Sequence, residues 1–247
     1  MNWFKEIFAR IWAVWGIISF ITTFLLFFIP SMLTHLLPEP SSSKVFIRIA
    51  RLWMDIWLFL IACPVRVKGK DNFKPGVTYI VTCNHNSLMD VPISSPYIPG
   101  ANRTIAKTSF AKIPLFGLYY RKGSVLVDRK SDSSRKESFI KMKAVLASGI
   151  HMCIYPEGTR NKTNQLLGNF HSGAFKLSID TGKSILPGII LHTKKVMPAN
   201  KTFYLLPHRL EFHFLPAIEV IIGENGDKLR ERTRRIMQAY LESVVKS

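Results

Sequence analysis

Acidic residues are scarce in this chain of 247 residues, which has 16 aspartates and glutamates against 34 lysines and arginines, a net charge of +18. The first 43 residues contribute nothing to that charge, because their charged residues are Lys5, Glu6, Arg10 and Glu39. The whole excess therefore lies in residues 44–247. A field of this sign attracts partners that carry phosphate: nucleic acid, anionic lipid or a phosphorylated substrate.

Cysteine is scarce as well, with Cys63, Cys83 and Cys153 in the whole chain. The number is odd and the spacings are not those of metal ligands. The pattern fits a reducing compartment and packed thiols better than disulfides or zinc. We expect Cys83 to be inert packing within a buried strand.

Charge is absent from Ile11 to Pro38, a run long enough to enter a membrane. Trp12 and Trp15 suit the aromatic belt of a membrane surface. A cleaved signal peptide is disfavoured, because the run is too long and no small-residue cleavage site follows it. The segment either spans the bilayer or forms a monotopic leg paired with the next helix. We favour the leg, because positive charge flanks both ends and Pro30 divides the segment.

The next segment carries one polar stripe at helical spacing, formed by Lys44, Arg48, Arg51 and Asp55. Apolar residues surround the stripe, which predicts a helix lying in the membrane surface with its basic edge toward phosphate headgroups. The alternative is a core helix of a soluble domain. We predict a membrane-associated two-helix module over residues 1–63 and a catalytic domain over 64–247.

Apolar runs and helical patterns alternate through the second part, which predicts one α/β domain. The predicted strands are 77–83, 103–106, 124–128, 151–155, 185–191 and 209–215. One helix is predicted from Ser134, where Glu137 completes a capping box, to Gly149, and another over 227–246. Pro187 inside an apolar run predicts an edge strand, a bulge or a kink beside the site.

His85 directly follows the first predicted strand, at the end where α/β folds place reaction sites. Asp90 is five residues further on, so the two are not neighbours on one helical face, although a turn could fold the carboxylate onto the ring. A histidine held by a carboxylate is fixed in one tautomer and stabilised when it takes a proton, which makes a general base. The alternative is a surface histidine near a helix-capping aspartate.

Three cations in two further stretches are candidate phosphate ligands. Lys107 and Arg129 come at or after predicted strands, and Arg160 can grip phosphate with two parallel donors. Gly158 permits a tight turn. Glu157 could order Arg160 and Lys107 or hydrogen-bond a substrate hydroxyl. Each of these residues could instead be an ordinary surface group.

Together these stretches resemble the glycerolipid acyltransferase family, which includes 1-acylglycerol-3-phosphate acyltransferases. In chain order they are His85 to Asp90, which match a His-x4-Asp motif, Gly123 to Arg129, Glu157-Gly158-Thr159-Arg160 and Leu186-Pro187-Gly188. The resemblance covers about residues 64–220. His171 stands where the family usually has lysine. The resemblance implies an αβ acyltransferase domain with a central mixed sheet, and the membrane-associated N-terminus resembles some bacterial members.

The implied reaction transfers a fatty acyl group from acyl-CoA or acyl carrier protein to the free hydroxyl of 1-acylglycerol-3-phosphate, giving phosphatidic acid for phospholipid biosynthesis. His85 would be the catalytic base and Asp90 its orienting partner. The expected substrate-binding residues hold the acceptor phosphate or shape its pocket: Lys107, Arg129, Glu157, Gly158, Thr159 and Arg160. The thioester is a substrate, so no cofactor is expected, and no metal is expected because no ligand cluster is recognisable.

The expected partners are the membrane phospholipid surface, lysophosphatidic acid and the acyl donor, with the protein on the cytoplasmic face. Nucleic acid is not expected, because the motifs offer no reading helix. One alternative keeps the chemistry and changes the acceptor to glycerol-3-phosphate, a lyso-phospholipid or a lyso-aminolipid. A second alternative is a non-catalytic membrane-lipid-binding protein, which would tolerate the loss of His85.

Overall fold

A computed structural model describes residues 3–128 and 130–245. Two long helices come first, α1 (Trp3–Leu33) and α2 (Ser41–Leu60), joined through a 3-10 turn at Thr34–Leu36. α1 is continuous although Pro30 lies within it. Among the described residues, α1 with this turn is the one helix long and apolar enough to cross a membrane, and 28% of its most apolar stretch is buried.

α1 packs against α2 through a stripe of small side chains at helical spacing: Ala9, Ala13, Gly16, Ser19 and Thr23. Two indole N–H groups of α2 donate into this stripe, from Trp57 to the Gly16 carbonyl at 3.0 Å and from Trp53 to Thr23 Oγ1 at 2.9 Å. The opposite side of α1 exposes large apolar side chains along its whole length. The pairing of the two helices is therefore a packed interface, and most of the exposed apolar surface of the pair belongs to α1.

One expectation about the helix pair, that α2 lies in the membrane surface, is corrected in part. One part of the apolar surface of α2 packs into the protein core, since Phe46, Trp53 and Trp57 are buried, while Leu52, Ile56 and Phe59 stay exposed. Trp12 and Trp15 donate their indole N–H groups to the carbonyls at the end of α2. These carbonyls have no partner within their own helix, which gives the indoles a role besides the expected aromatic belt.

The remaining chain supplies seven strands and six helices within the described residues. The strands are β1 (Val65–Lys68), β2 (Ile80–Cys83), β3 (Asn102–Lys107), β4 (Ser124–Val127), β5 (His151–Ile154), β6 (Ile185–Leu191) and β7 (Leu210–Phe214). The helices are α3 (Asp90–Tyr97), α4 (Phe116–Lys122), α5 (Asp132–Ala147), α6 (Gly173–Thr181), α7 (Thr193–Val196) and α8 (Gly226–Val245). Short 3-10 turns occur at Lys70–Asn72 and Thr108–Lys112.

The strands form one sheet in the order β1-β7-β6-β2-β5-β3-β4. All neighbours pair in parallel except β6 and β7, which are antiparallel. The expected α/β domain with a central mixed sheet is confirmed. All six predicted strands are present, but β2 begins at Ile80 rather than at residue 77. β1 was not predicted, because its four residues, Val-Arg-Val-Lys, are too short a run to stand out.

One hydrophobic core joins the helix pair to the sheet. Trp53 and Trp57 of α2 belong to the same buried cluster as Val81 and Cys83 of β2. A second cluster on the other side of the sheet gathers buried residues of α5, α6 and α8. The predicted division after residue 63 is therefore not a boundary of packing.

Two local expectations are corrected by the strand and cap geometry. β6 lies between β7 and β2, so Pro187 is not on an edge strand. Pro187 lies between Gly188, where the pairing with β7 begins, and Ile185, which forms an isolated bridge with Ile218. The missing N–H of the proline therefore removes no hydrogen bond between β6 and its antiparallel neighbour. α5 begins at Asp132 with Ser131 as its cap, because the Ser131 hydroxyl accepts from the N–H of Ser134.

Candidate active site

The site begins where β2 ends, at the carboxyl edge of five adjacent parallel strands, β6, β2, β5, β3 and β4. Asn84 is fully buried, and its side-chain amide bonds both backbone groups of Ile190 on β6, at 2.9 and 2.7 Å. These two bonds fix the chain at the point where it leaves the sheet. His85 therefore starts from an anchored backbone rather than from a mobile loop.

The turn after β2 brings Asp90 onto the ring of His85. His85 Nδ1 lies 2.8 Å from Asp90 Oδ2. The same oxygen accepts from the backbone N–H groups of Asn86 at 2.5 Å and Ser87 at 2.7 Å. Asp90 is fully buried, whereas the His85 side chain is 15% exposed. One carboxylate oxygen of Asp90 is thus held by two backbone N–H groups and fixes the histidine through its Nδ1.

This arrangement sets the tautomer of His85. A carboxylate can only accept, so Nδ1 carries the proton. Nε2 then carries the lone pair, and no hydrogen-bond partner for it occurs within residues 3–128 and 130–245. A ring with one nitrogen anchored on a carboxylate and the other unprotonated can take a proton from a hydroxyl placed beside it.

Tyr155 lies against the flat face of the imidazole. The two ring centroids are 4.3 Å apart with an angle of 23° between the planes. The phenol oxygen is 2.6 Å from the hydroxyl of Ser94 on α3, and burial raises the pKa of Tyr155 well above its usual range. The ring of His85 is therefore fixed on its edge by Asp90 and on its face by a neutral phenol.

Glu157 holds two loops together from a buried position, with 4% of its surface exposed. One carboxylate oxygen accepts from the N–H of His85 and the other from the N–H of Gly168, both at 2.8 Å. Burial raises the pKa of Glu157, while the two backbone bonds act in the opposite direction. A side chain at position 168 would come within 2.6 Å of the carboxylate. The expected contacts of Glu157 with Arg160 and Lys107 are not among those of the described residues.

Arg160 and Lys107 lie at the same edge of the sheet as His85. The N–H of Asn161 donates to the carbonyl of His85 at 2.7 Å, which places Arg160 beside the histidine turn. Lys107 ends β3, two strands from β2 and therefore about 10 Å away along the sheet. Within the described part of the chain, neither cation has a carboxylate partner. Arg129 lies outside the described residues.

The remaining residues of the third stretch shape its turn. Gly158 has φ +69°, a left-handed conformation that favours glycine. Its N–H donates to the carbonyl of Tyr155 at 3.0 Å, which closes the turn. Thr159 is exposed. His171 is exposed too, and its N–H donates to the carbonyl of Pro156 at 2.8 Å.

Sequence reasoning assigned no role to three residues that support the histidine: Asn84, Tyr155 and Asn161. Asn84 and Tyr155 stand inside stretches that were singled out, so their position beside a strand end was the available signal. Asn161 directly follows Arg160, and its amide also bonds the Gln165 carbonyl, which shapes the following loop. Its partner on the histidine is a backbone carbonyl, which no residue pattern shows.

Cys83 lies beneath this site and is fully buried. Burial, with the adjacent Cys153 thiol, raises the pKa of the Cys83 thiol well above its usual range. Such a thiol is a poor nucleophile. Among the described residues, no group of three or more histidine, cysteine, aspartate or glutamate side chains forms a metal-binding cluster.

The class of protein follows from the comparison of this chain with known families. The profile of the Acyltransferase family matches residues 64–191, over half of the chain and the whole stretch from His85 to Gly188. The chain therefore belongs to the Acyltransferase family.

Among its relatives, 1-acyl-sn-glycerol-3-phosphate acyltransferase from Cocos nucifera is 33% identical over 138 residues, covering 55% of this chain and 44% of the relative. The 1-acyl-sn-glycerol-3-phosphate acyltransferase alpha of Bos taurus is 26% identical over 201 residues, 80% of this chain and 69% of the relative. The chain thus spans about half to two thirds of the length of these relatives.

The fold is also that of a solved structure. The crystal structure of the 1-acyl-sn-glycerophosphate (LPA) acyltransferase PlsC from Thermotoga maritima superposes with a TM-score of 0.80 at 20% identity. The match covers 100% of this chain and 99% of the other, so it includes the N-terminal helix pair.

Proposed function

We propose that this protein transfers a fatty acyl group from a thioester donor, acyl-CoA or acyl carrier protein, to the free hydroxyl of 1-acylglycerol-3-phosphate, giving phosphatidic acid. The observation that carries the proposal is the His85–Asp90 pair, in which Nδ1 is anchored at 2.8 Å and Nε2 is left free. Membership of the Acyltransferase family and the names of the relatives support the reaction class and the acceptor.

The mechanism is direct transfer with His85 as general base. Nε2 takes the proton of the acceptor hydroxyl as its oxygen attacks the thioester carbonyl carbon. The carbon–sulfur bond then breaks, and the thiolate leaves with the proton returned by the imidazolium. Asp90 stabilises that imidazolium because its carboxylate is buried beside it. Base catalysis of this kind contributes typically about 10²–10⁴-fold. No cofactor or metal takes part, and no acyl group becomes attached to Cys83.

The acceptor phosphate binds at the cations of the carboxyl edge. Arg160 and Lys107 have no carboxylate partner among the described residues, so their charge is available to a ligand. Arg160 is tied to the histidine turn through Asn161, which lets one molecule reach both the guanidinium and Nε2. Arg129, Gly158 and Thr159 complete the proposed pocket. Glu157 acts indirectly, by holding the backbone of His85.

The apolar outer side of α1 associates the protein with a membrane, and we propose that it lies on the cytoplasmic face as a monotopic leg. α1 contacts the rest of the chain from the carbonyl of Ala9, which accepts from the N–H of Leu205, to the turn after it, where the carbonyl of Thr34 accepts from the hydroxyl of Ser42. A helix packed in this way is not free to cross the bilayer surrounded by lipid. The apolar surface left over suits insertion from one side.

The test is an assay of the purified protein with matched panels of donors and acceptors. We expect acyl transfer from acyl-CoA or acyl carrier protein to lysophosphatidic acid to exceed transfer to lyso-phospholipids, lyso-aminolipids and glycerol-3-phosphate. Preference for another acceptor would keep the chemistry and reject the assigned substrate. The denatured protein should carry no acyl group after turnover, and an acyl thioester on Cys83 would reject direct transfer.

A further inference from the structure

A second apolar surface lies beside the candidate site and has no part in the proposed reaction. It occupies residues 110–118, which run from the 3-10 turn after β3 into the first turn of α4 and which we call the 110–118 loop. Its large apolar side chains are exposed by 41 to 53%: Phe110, Ile113, Leu115 and Leu118. Four such side chains on one short segment form an exposed apolar patch, and patches of this kind mark sites of interaction with a protein or a membrane.

Hydrogen bonds hold the backbone of the loop in a fold that leaves these side chains exposed. The N–H of Gly117 donates to the carbonyl of Ile113 at 2.7 Å, and Arg121 donates to the carbonyl of Ala111 at 3.1 Å. A Cβ atom at position 117 would lie 2.4 Å from the carbonyl oxygen of Ala111. The inside of the loop is therefore filled by backbone and has no room for a side chain at this position. Leu115 has φ +57°, an unfavourable conformation for a branched residue. The patch is therefore built into the loop rather than left by loose packing.

The loop adjoins the membrane-associating side of α1. The ring of Phe24 on α1 contacts the rings of Phe116 and Tyr119, with centroids 5.8 and 5.9 Å apart. The residues next to Phe24 on the outer side of α1, Leu25 and Leu26, are 52% and 70% exposed. The loop and the helix thus meet on their inner sides and expose apolar side chains on their outer sides.

The segment around the loop carries charge of one sign, although two of its cations, Arg103 and Lys122, pair with Glu39. No aspartate or glutamate occurs from residue 91 to residue 127, while five lysines and arginines do: Arg103, Lys107, Lys112, Arg121 and Lys122. Lys107 and Lys112 are exposed beside the patch. Apolar side chains bordered by cations suit the interface of a bilayer that contains anionic phospholipid.

We propose that the 110–118 loop is a second membrane contact, which inserts into an anionic phospholipid bilayer beside α1. The loop follows β3 at the edge of the sheet that carries His85 and Arg160, so two contacts on one bilayer orient that edge toward the lipid. The contact itself follows from the surface alone. Its consequence, that a lipid acceptor reaches His85 from the bilayer, rests on the proposed function.

A fluorescent label on the loop tests the contact without any measurement of activity. All three native cysteines are buried, so a cysteine introduced by Leu118→Cys in the full chain can be labelled selectively with an environment-sensitive dye. Leu26→Cys on α1 is the positive control. Ile222→Cys is the matched control, since this isoleucine is fully exposed and follows β7, whose antiparallel direction puts it at the opposite edge.

With vesicles of phosphatidylcholine and phosphatidylglycerol, we expect the label at position 118 to shift to the blue and to be quenched by lipid-borne quenchers. The quenching should be comparable with that at position 26, while the label at position 222 stays in water. A label at 118 that remains in water overturns the proposal. So does a label that responds to protein concentration or to added acyl carrier protein instead of vesicles, since the patch would then bind another protein.

A paired activity measurement tests the consequence. The double change Ile113→Ser and Leu118→Ser should lower turnover of a bilayer-bound acceptor several-fold, and leave turnover of a water-soluble short-chain acceptor near that of the unaltered protein. The exposed pair Ile140→Ser and Ile222→Ser serves as the control and should change neither. Equal loss on both acceptors would show a structural effect and reject the orienting role. Absence of turnover in the unaltered protein would reject the proposed function and leave the labelling result standing.

Discussion

The replacement Glu157→Gln separates a residue that positions the histidine from one that binds the substrate. Both carboxylate oxygens of Glu157 accept backbone N–H groups, those of His85 and Gly168. Glutamine can accept one of these bonds with its oxygen but must turn its NH2 group toward the other donor. An isosteric change therefore leaves two donors facing each other in a buried place.

The expected loss of stability follows from the two bonds. Weakening one charge-assisted bond to a neutral one costs about 1 kcal/mol, and leaving the second buried donor without an acceptor costs about 1–3 kcal/mol. We expect Glu157→Gln to lower the free energy of unfolding by about 2–4 kcal/mol. Because His85 loses a backbone anchor, kcat should fall by up to about 10²-fold, the effect of a displacement near 1 Å.

The assay combines urea unfolding with steady-state kinetics for the acceptor. Glu137→Gln is the control, because this carboxylate is exposed and its ion pair with Lys141 lies on the surface of α5. A pair of that kind is worth about 0.2–1 kcal/mol, and kcat should not change. Unfolding and turnover of Glu157→Gln at the level of the unaltered protein would refute the positioning role. A raised acceptor KM at constant kcat would instead place Glu157 on the substrate.

Three further changes have distinct expected effects. Asp90→Asn keeps an acceptor for the two backbone N–H groups but removes the charge beside the imidazolium, so kcat should fall by about 10–100-fold, less than on loss of His85; unchanged turnover would count against an orienting carboxylate. Arg160→Ala should raise the acceptor KM by about 10–150-fold, the worth of charge-assisted bonds of about 1.5–3 kcal/mol. Arg160→Lys should rescue it only in part, and an equal loss on monoacylglycerol would make Arg160 structural. Tyr155→Phe keeps the ring against His85 and should retain most of kcat, whereas Tyr155→Leu should lose about 2–12-fold, matching an aromatic pair of about 0.5–1.5 kcal/mol; equal kinetics in both would show that the stacking is unimportant.

The parts of the fold that the sequence predicted are those with strong local patterns. The predicted strands at 77–83 and 185–191 are apolar runs, and α8 begins within one residue of its predicted start. The cap of α5 was misplaced because Ser131, Ser133 and Ser134 offer nearly equal local signals, and only the backbone geometry selects Ser131.

Long-range packing set the limits of the prediction for the helix pair. Nothing near Trp53 or Trp57 in the sequence distinguishes a face toward lipid from a face toward protein. Their indole partners, Thr23 and Gly16, are 30 and 41 residues away. The stripe of small residues on α1 accepts these indoles because α2 lies against it, and a contact between two helices is not encoded in the local pattern of either one.

The candidate site shows the same division. His85 and Asp90 were predicted because both are functional side chains in one short stretch, and the structure brings them together. The role of Glu157 could not be predicted, because its partners are backbone N–H groups at His85 and Gly168, and one of them is 72 residues distant. A sequence pattern indicates the chemistry of side chains, but it does not indicate which backbone groups a side chain will bind.

The central claim is that His85 is the base for acyl transfer to lysophosphatidic acid, and turnover of His85→Ala tests it most directly. Phosphatidic acid formed by the purified variant and by the unaltered protein should be measured in the same vesicles, after equal thermal unfolding has shown that the fold is intact. We expect a fall in kcat of at least about 10³-fold, within the range of general base catalysis. Turnover close to that of the unaltered protein would contradict it.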